Sequence, residues 1–137
     1  MPSVVFVCVA NSFRSQMAEA FARSCGGTAW EVWSVGSAPS GWVHPLAIQL
    51  MSELGYDLSA RQSKGVADLP PKEWDYVVTM GCGDRCPTVR AKHRLDWEIS
   101  DPAGLPLDDV RRIRDRIGEL VRDLVSRHTS HSVQGGN

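Results

Sequence analysis

A chain of 137 residues is long enough for one compact domain with a substantial core. Its formal net charge of −1, with 42% hydrophobic and 23% charged residues, excludes a polybasic nucleic-acid-binding protein. No apolar run is long enough to span a bilayer, and the first residues lack the basic region and cleavage signature of a signal peptide. We therefore expect a cytoplasmic protein with no nucleic-acid or membrane partner, in which cysteines act as thiols rather than structural disulfides.

The first half of the chain alternates strand and helix patterns. Residues 3–8, SVVFVC, form an apolar, β-branched run typical of a buried strand. A helix follows, ended by a pair of glycines, and its predicted apolar face is Met17, Ala18, Phe21, Ala22 and Cys25. Residues 29–36 alternate apolar and polar side chains and predict a second strand. Pro45 begins a second helix that Gly55 ends, and its predicted apolar face is Leu46, Ala47, Leu50, Met51 and Leu54.

The second half continues the alternation. A short helix is predicted from Ser63, a third strand over residues 74–80 and a weaker fourth strand over residues 93–99. Residues 107–127 show the clearest helical pattern, with a stripe formed by Val110, Ile113, Ile117, Leu120, Val121 and Leu124. The predicted single domain covers residues 1–127. The aperiodic residues 128–137 are predicted to form a mobile tail.

Strands that alternate with helices predict a three-layer α/β fold, with a four-stranded parallel sheet of order 2-1-3-4 flanked by helices. In such a sheet, ligands bind beyond the carboxyl ends of the strands. Cys8, Cys82 and Asp101 each follow a predicted strand. We therefore expect these three side chains at the same edge of the sheet.

The strand-to-helix segment CVANSFRS, residues 8–15, has the pattern of an anion cradle, and we call it the oxyanion loop. Its backbone N–H groups and the helix N-terminus would attract an anion, and the planar fork of Arg14 matches a tetrahedral oxyanion. The same positive charge favours the nucleophilic thiolate of Cys8, to which Ser15 would donate a hydrogen bond. Asn11 tolerates a left-handed backbone. The alternative for Cys8 is a small buried hydrophobe. The predicted oxyanion-binding residues are Val9, Ala10, Asn11, Ser12, Phe13, Arg14 and Ser15.

The oxyanion loop resembles that of the low-molecular-weight protein tyrosine phosphatases and of the arsenate reductases that share their fold. Residues 34–64, 75–87 and 96–104 continue the resemblance, which extends from residue 3 to about residue 125. Two residues depart from it: Ala10 stands where the phosphatases usually have glycine, and Phe13 stands where many members have cysteine. The resemblance implies the phosphatase-like fold and one of two reactions.

The two reactions differ after the anion has bound. A phosphatase needs a leaving-group acid and then water, whereas an arsenate reductase must oxidise two thiols. The segment MGCGDRCP supplies Cys82 and Cys86 between glycines, at a separation that a helical turn can bring to disulfide distance. We therefore expect a relay in which Cys8 attacks arsenate, Asp101 protonates the departing oxygen, Cys82 attacks Cys8, and Cys86 attacks Cys82. The resemblance implies thioredoxin as the reductant, and a glutaredoxin-like or low-molecular-weight thiol partner stays open.

The residues leave alternatives open. Cys82 and Cys86 are alternatively unpaired loop thiols, or metal ligands together with His93, although nothing completes a usual zinc spacing and we predict no metal. Asp101 before Pro102 is also a common turn residue. A phosphatase is the alternative enzyme. A non-enzymatic thiol or metalloid-binding sensor is the third function considered.

The residues after Asp101 and Pro102 bear on the substrate. In the resembling phosphatases an aromatic residue follows this Asp-Pro pair and packs on the substrate ring, whereas here Ala103 and Gly104 follow. These small residues favour a small inorganic anion such as arsenate over phosphotyrosine. No cofactor is predicted, although a bound phosphate, sulfate or arsenate ion and a monovalent cation stay open. Of the remaining candidates, Cys25 is assigned to the core and His44 to a helix start.

Overall fold

The computed structural model describes the backbone of residues 1–81 and 88–135, and side chains in these ranges as far as residue 128. Short 3₁₀ turns lie at Gly27–Ala29 and Val66–Asp68, the second of them where a helix from Ser63 was predicted. The helices and strands in chain order are β1 Ser3–Cys8, α1 Arg14–Gly26, β2 Glu31–Gly36, α2 Pro45–Ser52, β3 Trp74–Thr79, β4 Ala91–Asp96 and α3 Leu107–Gly135.

The strands form a four-stranded parallel sheet of order β2-β1-β3-β4, so the predicted order is confirmed. At its carboxyl edge Cys8 pairs with Gly36, and Val7 pairs with Thr79. Thr79 in turn pairs with Asp96 of β4. Because the strands are parallel, the carboxyl ends of β1, β2, β3 and β4 lie at the same edge of the sheet.

The two faces of β1 contribute to separate hydrophobic clusters, which is why the whole strand is buried. Phe6 and its same-face neighbours pack with buried residues of α1, α2 and α3. Val5 and Val7 pack instead with Trp74 and with partly buried residues around the second 3₁₀ turn. In the described part of the chain, no helix is long and apolar enough to cross a bilayer.

Two element boundaries differ from the predicted ones. β4 begins two residues earlier and ends three residues earlier than the predicted strand over residues 93–99. α3 extends to Gly135 rather than ending at residue 127. His128 explains part of this extension, because its Nδ1 lies 2.8 Å from Tyr76 Oη and its ring packs edge-on against Trp30. The mobility of residues 128–137 stays a prediction.

Two predictions about the core were wrong. Cys25 is exposed, because the buried face of α1 ends at Ala22 and the last turn of the helix extends beyond the residues that cover it. Leu54 is 43% exposed. It follows the last residue of α2, Ser52, and the chain there turns toward Gly55, so Leu54 no longer continues the helical face.

Candidate active site

Cys8 lies at the carboxyl end of β1 and is 2% exposed. Its Sγ lies 2.8 Å from Ser15 Oγ, in the first turn of α1. Ser15 Oγ also accepts a hydrogen bond of 2.8 Å from Asn11 Nδ2. Because Asn11 supplies a donor to this oxygen, the hydroxyl hydrogen of Ser15 is available to Cys8 Sγ. This arrangement suits a thiolate, which needs hydrogen-bond donors.

The backbone of Asn11 is left-handed, with φ of 49°. An asparagine tolerates this conformation because its short polar side chain bonds locally. Asn11 Oδ1 accepts from the backbone N–H of Lys64 at 2.6 Å and from Gln16 Nε2 at 3.0 Å. The side chain is fully buried, so Asn11 braces the oxyanion loop from behind rather than facing a ligand.

Residues 62–64, which we call the strap, cross behind the oxyanion loop and bond to it. Ser63 Oγ donates to the carbonyl of Ala10 at 2.7 Å, and Gln62 accepts from Gln16 Nε2 at 3.0 Å. The carbonyl of Lys64 accepts from the backbone N–H of Gly36 at 2.8 Å. The strap therefore connects the loop to α1 and to the end of β2.

Glu19 anchors the strap from inside the protein. Its carboxylate is 1% exposed, accepts from Ser34 Oγ at 2.7 Å, and forms ion pairs with Arg61, with Lys64 at 3.4 Å and with Arg23 at 3.2 Å. A buried carboxylate is tolerated only when charges and donors surround it. Glu19 could not be recognised from the sequence as a buried residue, because its spacing of four residues from Arg23 is typical of an ordinary surface pair on a helix.

Arg14 is the first residue of α1 and is 8% exposed. Its Nη1 donates to the carbonyl of Ile99 at 3.1 Å, which fixes the guanidinium at the mouth of the loop. In the described part of the chain, no side chain caps the first turn of α1. The N–H groups of this turn are therefore free to bind an anion, with the helix dipole behind them.

A cavity of about 250 Å³ lies above Cys8. It is lined by most of the oxyanion loop, including Arg14, and by His44, Asp101 and Ala103. Asp101 Oδ1 accepts from the backbone N–H of Ala103 at 3.0 Å, so this residue both shapes a turn and faces the cavity. The structure thus brings Cys8, Arg14 and Asp101 together around one cavity. The strand pattern predicted a shared edge for Cys8, Cys82 and Asp101, of which Cys82 lies outside the described residues. Asn11 and Ser15 lie behind the loop instead.

Gly36 and Gly81 permit close backbone contacts around the loop. A Cβ on Gly36 would lie 2.8 Å from the backbone nitrogen of Asn11. A Cβ on Gly81 would collide with Arg14 Nη1 and lie 2.9 Å from the carbonyl of Ile99, and Gly81 has φ of +79°. Both positions therefore require glycine. Gly81 immediately precedes Cys82, and the predicted roles of Cys82 and Cys86 concern residues outside those that the structure describes.

The ring of His44, which lines the cavity, contacts two other aromatic rings. The ring of His44 lies 4.7 Å from that of Phe13 and 5.8 Å from that of Trp42, measured between centroids. Sequence reasoning placed His44 at a helix start, which is confirmed, but gave no sign that it faces the cavity. Trp97 packs on Phe6 and lines a different cavity. Among the described residues, no cluster of histidine, cysteine or carboxylate side chains could hold a metal ion.

Comparison with known proteins identifies relatives along most of the chain. Residues 3–134 match the family model of low molecular weight phosphotyrosine protein phosphatase. The chain is 37% identical over 130 residues to the glutaredoxin arsenate reductase of Synechocystis sp., covering 93% of this chain and 98% of that protein. It is 36% identical over 124 residues to arsenate reductase 2 of Staphylococcus saprophyticus, covering 88% and 93%.

Solved structures agree with these sequence matches. A structure described as an arsenate reductase in the phosphate binding state superimposes with a TM-score of 0.84 at 38% identity, covering 93% of this chain and 98% of that one. The thioredoxin-dependent arsenate reductase of Corynebacterium glutamicum superimposes with a TM-score of 0.74 at 36% identity. That match covers 100% of this chain and 64% of the Corynebacterium glutamicum protein, which is therefore the longer of the two.

Proposed function

Because the chain belongs to the low molecular weight phosphotyrosine protein phosphatase family, we propose that it is an arsenate reductase with Cys8 as its nucleophile. The observation that carries this proposal is the position of Cys8 beneath a cavity that Arg14 and the uncapped start of α1 make attractive to an oxyanion. Relatives at 36–38% identity that are described as arsenate reductases support the choice of reaction.

The substrate would bind through backbone and side-chain donors together. Arg14 keeps its Nη1 on the carbonyl of Ile99, which leaves its other guanidinium N–H groups for two oxygens of arsenate. The N–H groups of the oxyanion loop would hold the remaining oxygens. The cavity volume of about 250 Å³ and the small Ala103 at its edge suit a compact tetrahedral ion.

In the first step the thiolate of Cys8 attacks arsenic, so that an S–As bond forms and an As–O bond breaks. Asp101, which faces the same cavity, gives its proton to a hydroxyl group of the bound hydrogen arsenate, and that group leaves as water. The hydrogen bond between Ser15 Oγ and Cys8 Sγ at 2.8 Å supports this step, because it stabilises the attacking thiolate. Arsenic has not yet been reduced at this stage.

The second step supplies the two electrons. The thiolate of Cys82 attacks the sulfur of Cys8, an S–S bond forms, and the S–As bond breaks with its electron pair on arsenic, which leaves as arsenite. Cys86 then attacks Cys82 and releases the thiolate of Cys8. The close approach of Gly81 to Arg14 supports this sequence of steps, because the residue before Cys82 lies against a side chain that lines the cavity.

The Cys82–Cys86 disulfide would be reduced by an external dithiol protein, and we propose thioredoxin for this role. The relative from Corynebacterium glutamicum is described as a thioredoxin-dependent arsenate reductase, whereas the Synechocystis relative is named glutaredoxin arsenate reductase. We also propose that the protein works in the cytoplasm, where such reductants keep thiols reduced. Residues 1–127 would form the functional domain.

A phosphatase is the second candidate function. The name of the matching family model and the phosphate-binding state of a related structure both favour it, because phosphate and arsenate share charge and shape. Hydrolysis would use Cys8, Arg14 and Asp101 in the same way. It would not require Cys82 or Cys86.

One assay separates the two reactions. Arsenate, thioredoxin, thioredoxin reductase and NADPH are supplied, and NADPH oxidation is followed for the wild type and for Cys8→Ser, Cys82→Ser and Cys86→Ser. Reductase activity requires all three cysteines. Full turnover in Cys82→Ser and Cys86→Ser would overturn the relay. Hydrolysis of an aryl phosphate that depends only on Cys8 and Asp101, without arsenate turnover, would establish the phosphatase instead. Replacing thioredoxin with glutaredoxin and glutathione identifies the reductant.

A further inference from the structure

His44 lines the cavity above Cys8, yet it belongs to neither the oxyanion loop nor the Asp101 turn. It is half-buried, and its ring contacts two other aromatic rings. The ring planes of Phe13 and His44 are 33° apart, and those of the exposed Trp42 and His44 are 25° apart. One tilted and one stacked aromatic contact therefore restrict the plane of the imidazole.

Two hydrogen bonds fix the remaining freedom of His44. Its Nδ1 accepts from the backbone N–H of Leu46 at 3.1 Å, which caps α2. Its backbone N–H donates to the carbonyl of Ser12 at 2.9 Å, which ties it to the oxyanion loop. A neutral imidazole whose Nδ1 accepts a hydrogen bond carries its proton on Nε2. His44 therefore presents a pre-oriented N–H donor.

This donor is available for a ligand. Nδ1 is engaged within α2, and no hydrogen bond from Nε2 is formed to any other residue in the parts of the chain that the structure describes. Capping alone would be served by a shorter side chain such as asparagine or serine. The additional ring nitrogen of histidine lies on a residue that faces the cavity.

We propose that Nε2–H of His44 binds an oxygen of the oxyanion, as a second side-chain donor beside Arg14. The loop N–H groups would hold the oxygens nearest Cys8, whereas His44 would approach from the side of the cavity formed by α2. This inference rests on the proposed function only in taking a tetrahedral oxyanion as the ligand. It makes His44 a binding residue for arsenate and, equally, for its analogue phosphate.

Two substitutions separate the donor from the cap. His44→Asn places an oxygen where Nδ1 stands, so it keeps the bond to Leu46 but lacks an atom at the position of Nε2. His44→Gln reaches the position of Nε2 with an amide N–H, but loses the cap. The dissociation constant of inorganic phosphate is measured by calorimetry on the reduced full-length protein. Thermal unfolding is measured on the same samples.

We expect His44→Asn to bind phosphate about tenfold more weakly than the wild type, the size expected for one hydrogen bond to a charged group. Its melting temperature should match that of the wild type. His44→Gln should bind phosphate within about threefold of the wild type, because the donor is restored, and should melt at a lower temperature, because the cap is lost. Phosphate affinity would thus fall mainly in His44→Asn, and the melting temperature would fall only in His44→Gln.

Three outcomes would overturn the proposal. Unchanged affinity in His44→Asn would show that no donor is lost. Weak binding in His44→Gln with normal binding in His44→Asn would assign His44 to capping alone. Equal weakening in both would assign it to the stacked ring. Failure of the proposed function looks different, since the wild type would then bind phosphate in the same assay but would not reduce arsenate.

Discussion

Gly81 lies directly against the guanidinium of Arg14, so closely that a Cβ at this position would collide with Nη1. The same Nη1 is held by the carbonyl of Ile99 at 3.1 Å. The backbone that leads from β3 into Cys82 therefore contacts the side chain that closes the oxyanion cavity. This relationship connects anion binding with the segment that would supply the electrons.

Replacing Gly81 with alanine should weaken oxyanion binding in addition to lowering stability. The new methyl group would displace Arg14, and the backbone φ of +79° strains any residue with a Cβ. Gly55→Ala is the matched control, because Gly55 has φ of +88° and nothing within 4 Å of its missing Cβ. Gly55→Ala should lose about 1–2 kcal/mol of unfolding free energy from backbone strain, and Gly81→Ala should lose at least as much.

Only Gly81→Ala should also bind phosphate at least about tenfold more weakly, as expected when a charged hydrogen bond is lost. Urea unfolding and phosphate calorimetry measure the two effects. Equal phosphate affinity in both variants would show that the contact with Arg14 has no role in binding.

Asp101→Asn tests whether Asp101 donates a proton. The amide oxygen of asparagine can still accept the bond from the N–H of Ala103, so the turn is kept while the acid is removed. We expect arsenate turnover to fall roughly 100-fold or more, the usual contribution of a general acid. Phosphate affinity should not fall. Turnover close to the wild-type rate would leave Asp101 as a turn residue only.

Glu19→Gln tests the buried anchor of the strap. Removing the charge leaves Arg61 and Lys64 without their shared partner, and we expect a loss of about 3 kcal/mol in unfolding free energy, the lower end for a broken buried ion pair. Phosphate affinity should also fall, because the strap holds Asn11. Glu119→Gln, at an exposed pair with Arg116, is the control and should change stability by less than about 0.5 kcal/mol. Equal effects of the two variants would contradict the anchoring role.

Glu53 makes stability depend on acid pH. Hydrogen bonds from Arg111 and then Arg114 lower the pKa of Glu53 from its ordinary value of 4.5 to about 2. A lowered folded-state pKa stabilises the fold above the unfolded-state value, and this contribution is lost as pH falls through the folded value. The stability difference between wild type and Glu53→Gln should therefore be constant above pH 4.5 and shrink toward pH 2. Urea unfolding across this range measures it, and a difference independent of pH would be inconsistent with the bonds to both arginines.

The elements that the sequence predicted well are those whose signal is local. β1 is a continuous β-branched run, and the oxyanion loop follows it directly, so the positions of Cys8 and Arg14 required no distant information. The left-handed backbone of Asn11 could likewise be expected from its residue type. Because the segments that follow parallel strands meet at the carboxyl edge of the sheet, Asp101 could also be expected near Cys8, and it lines the same cavity.

The features that sequence reasoning missed depend on contacts between distant segments. The burial of Glu19 is not evident from the sequence, because two residues that pair with it, Arg61 and Lys64, lie more than forty positions away. His44 faces the cavity and its ring contacts that of Phe13. The sequence around His44 predicts only the start of a helix and not this contact. Cys25 was assigned to the core from helical spacing alone, and spacing does not reveal where the covering elements end.

Disulfide mapping by mass spectrometry can show whether Cys8, Cys82 and Cys86 together pass two electrons to arsenate. The fully reduced protein is treated with arsenate without an external reductant, alkylated and digested. Wild type should contain a Cys82–Cys86 disulfide with Cys8 alkylated, and Cys86→Ser should instead trap a Cys8–Cys82 disulfide. A disulfide that contains Cys25, or three alkylated thiols together with free arsenite, would contradict the relay.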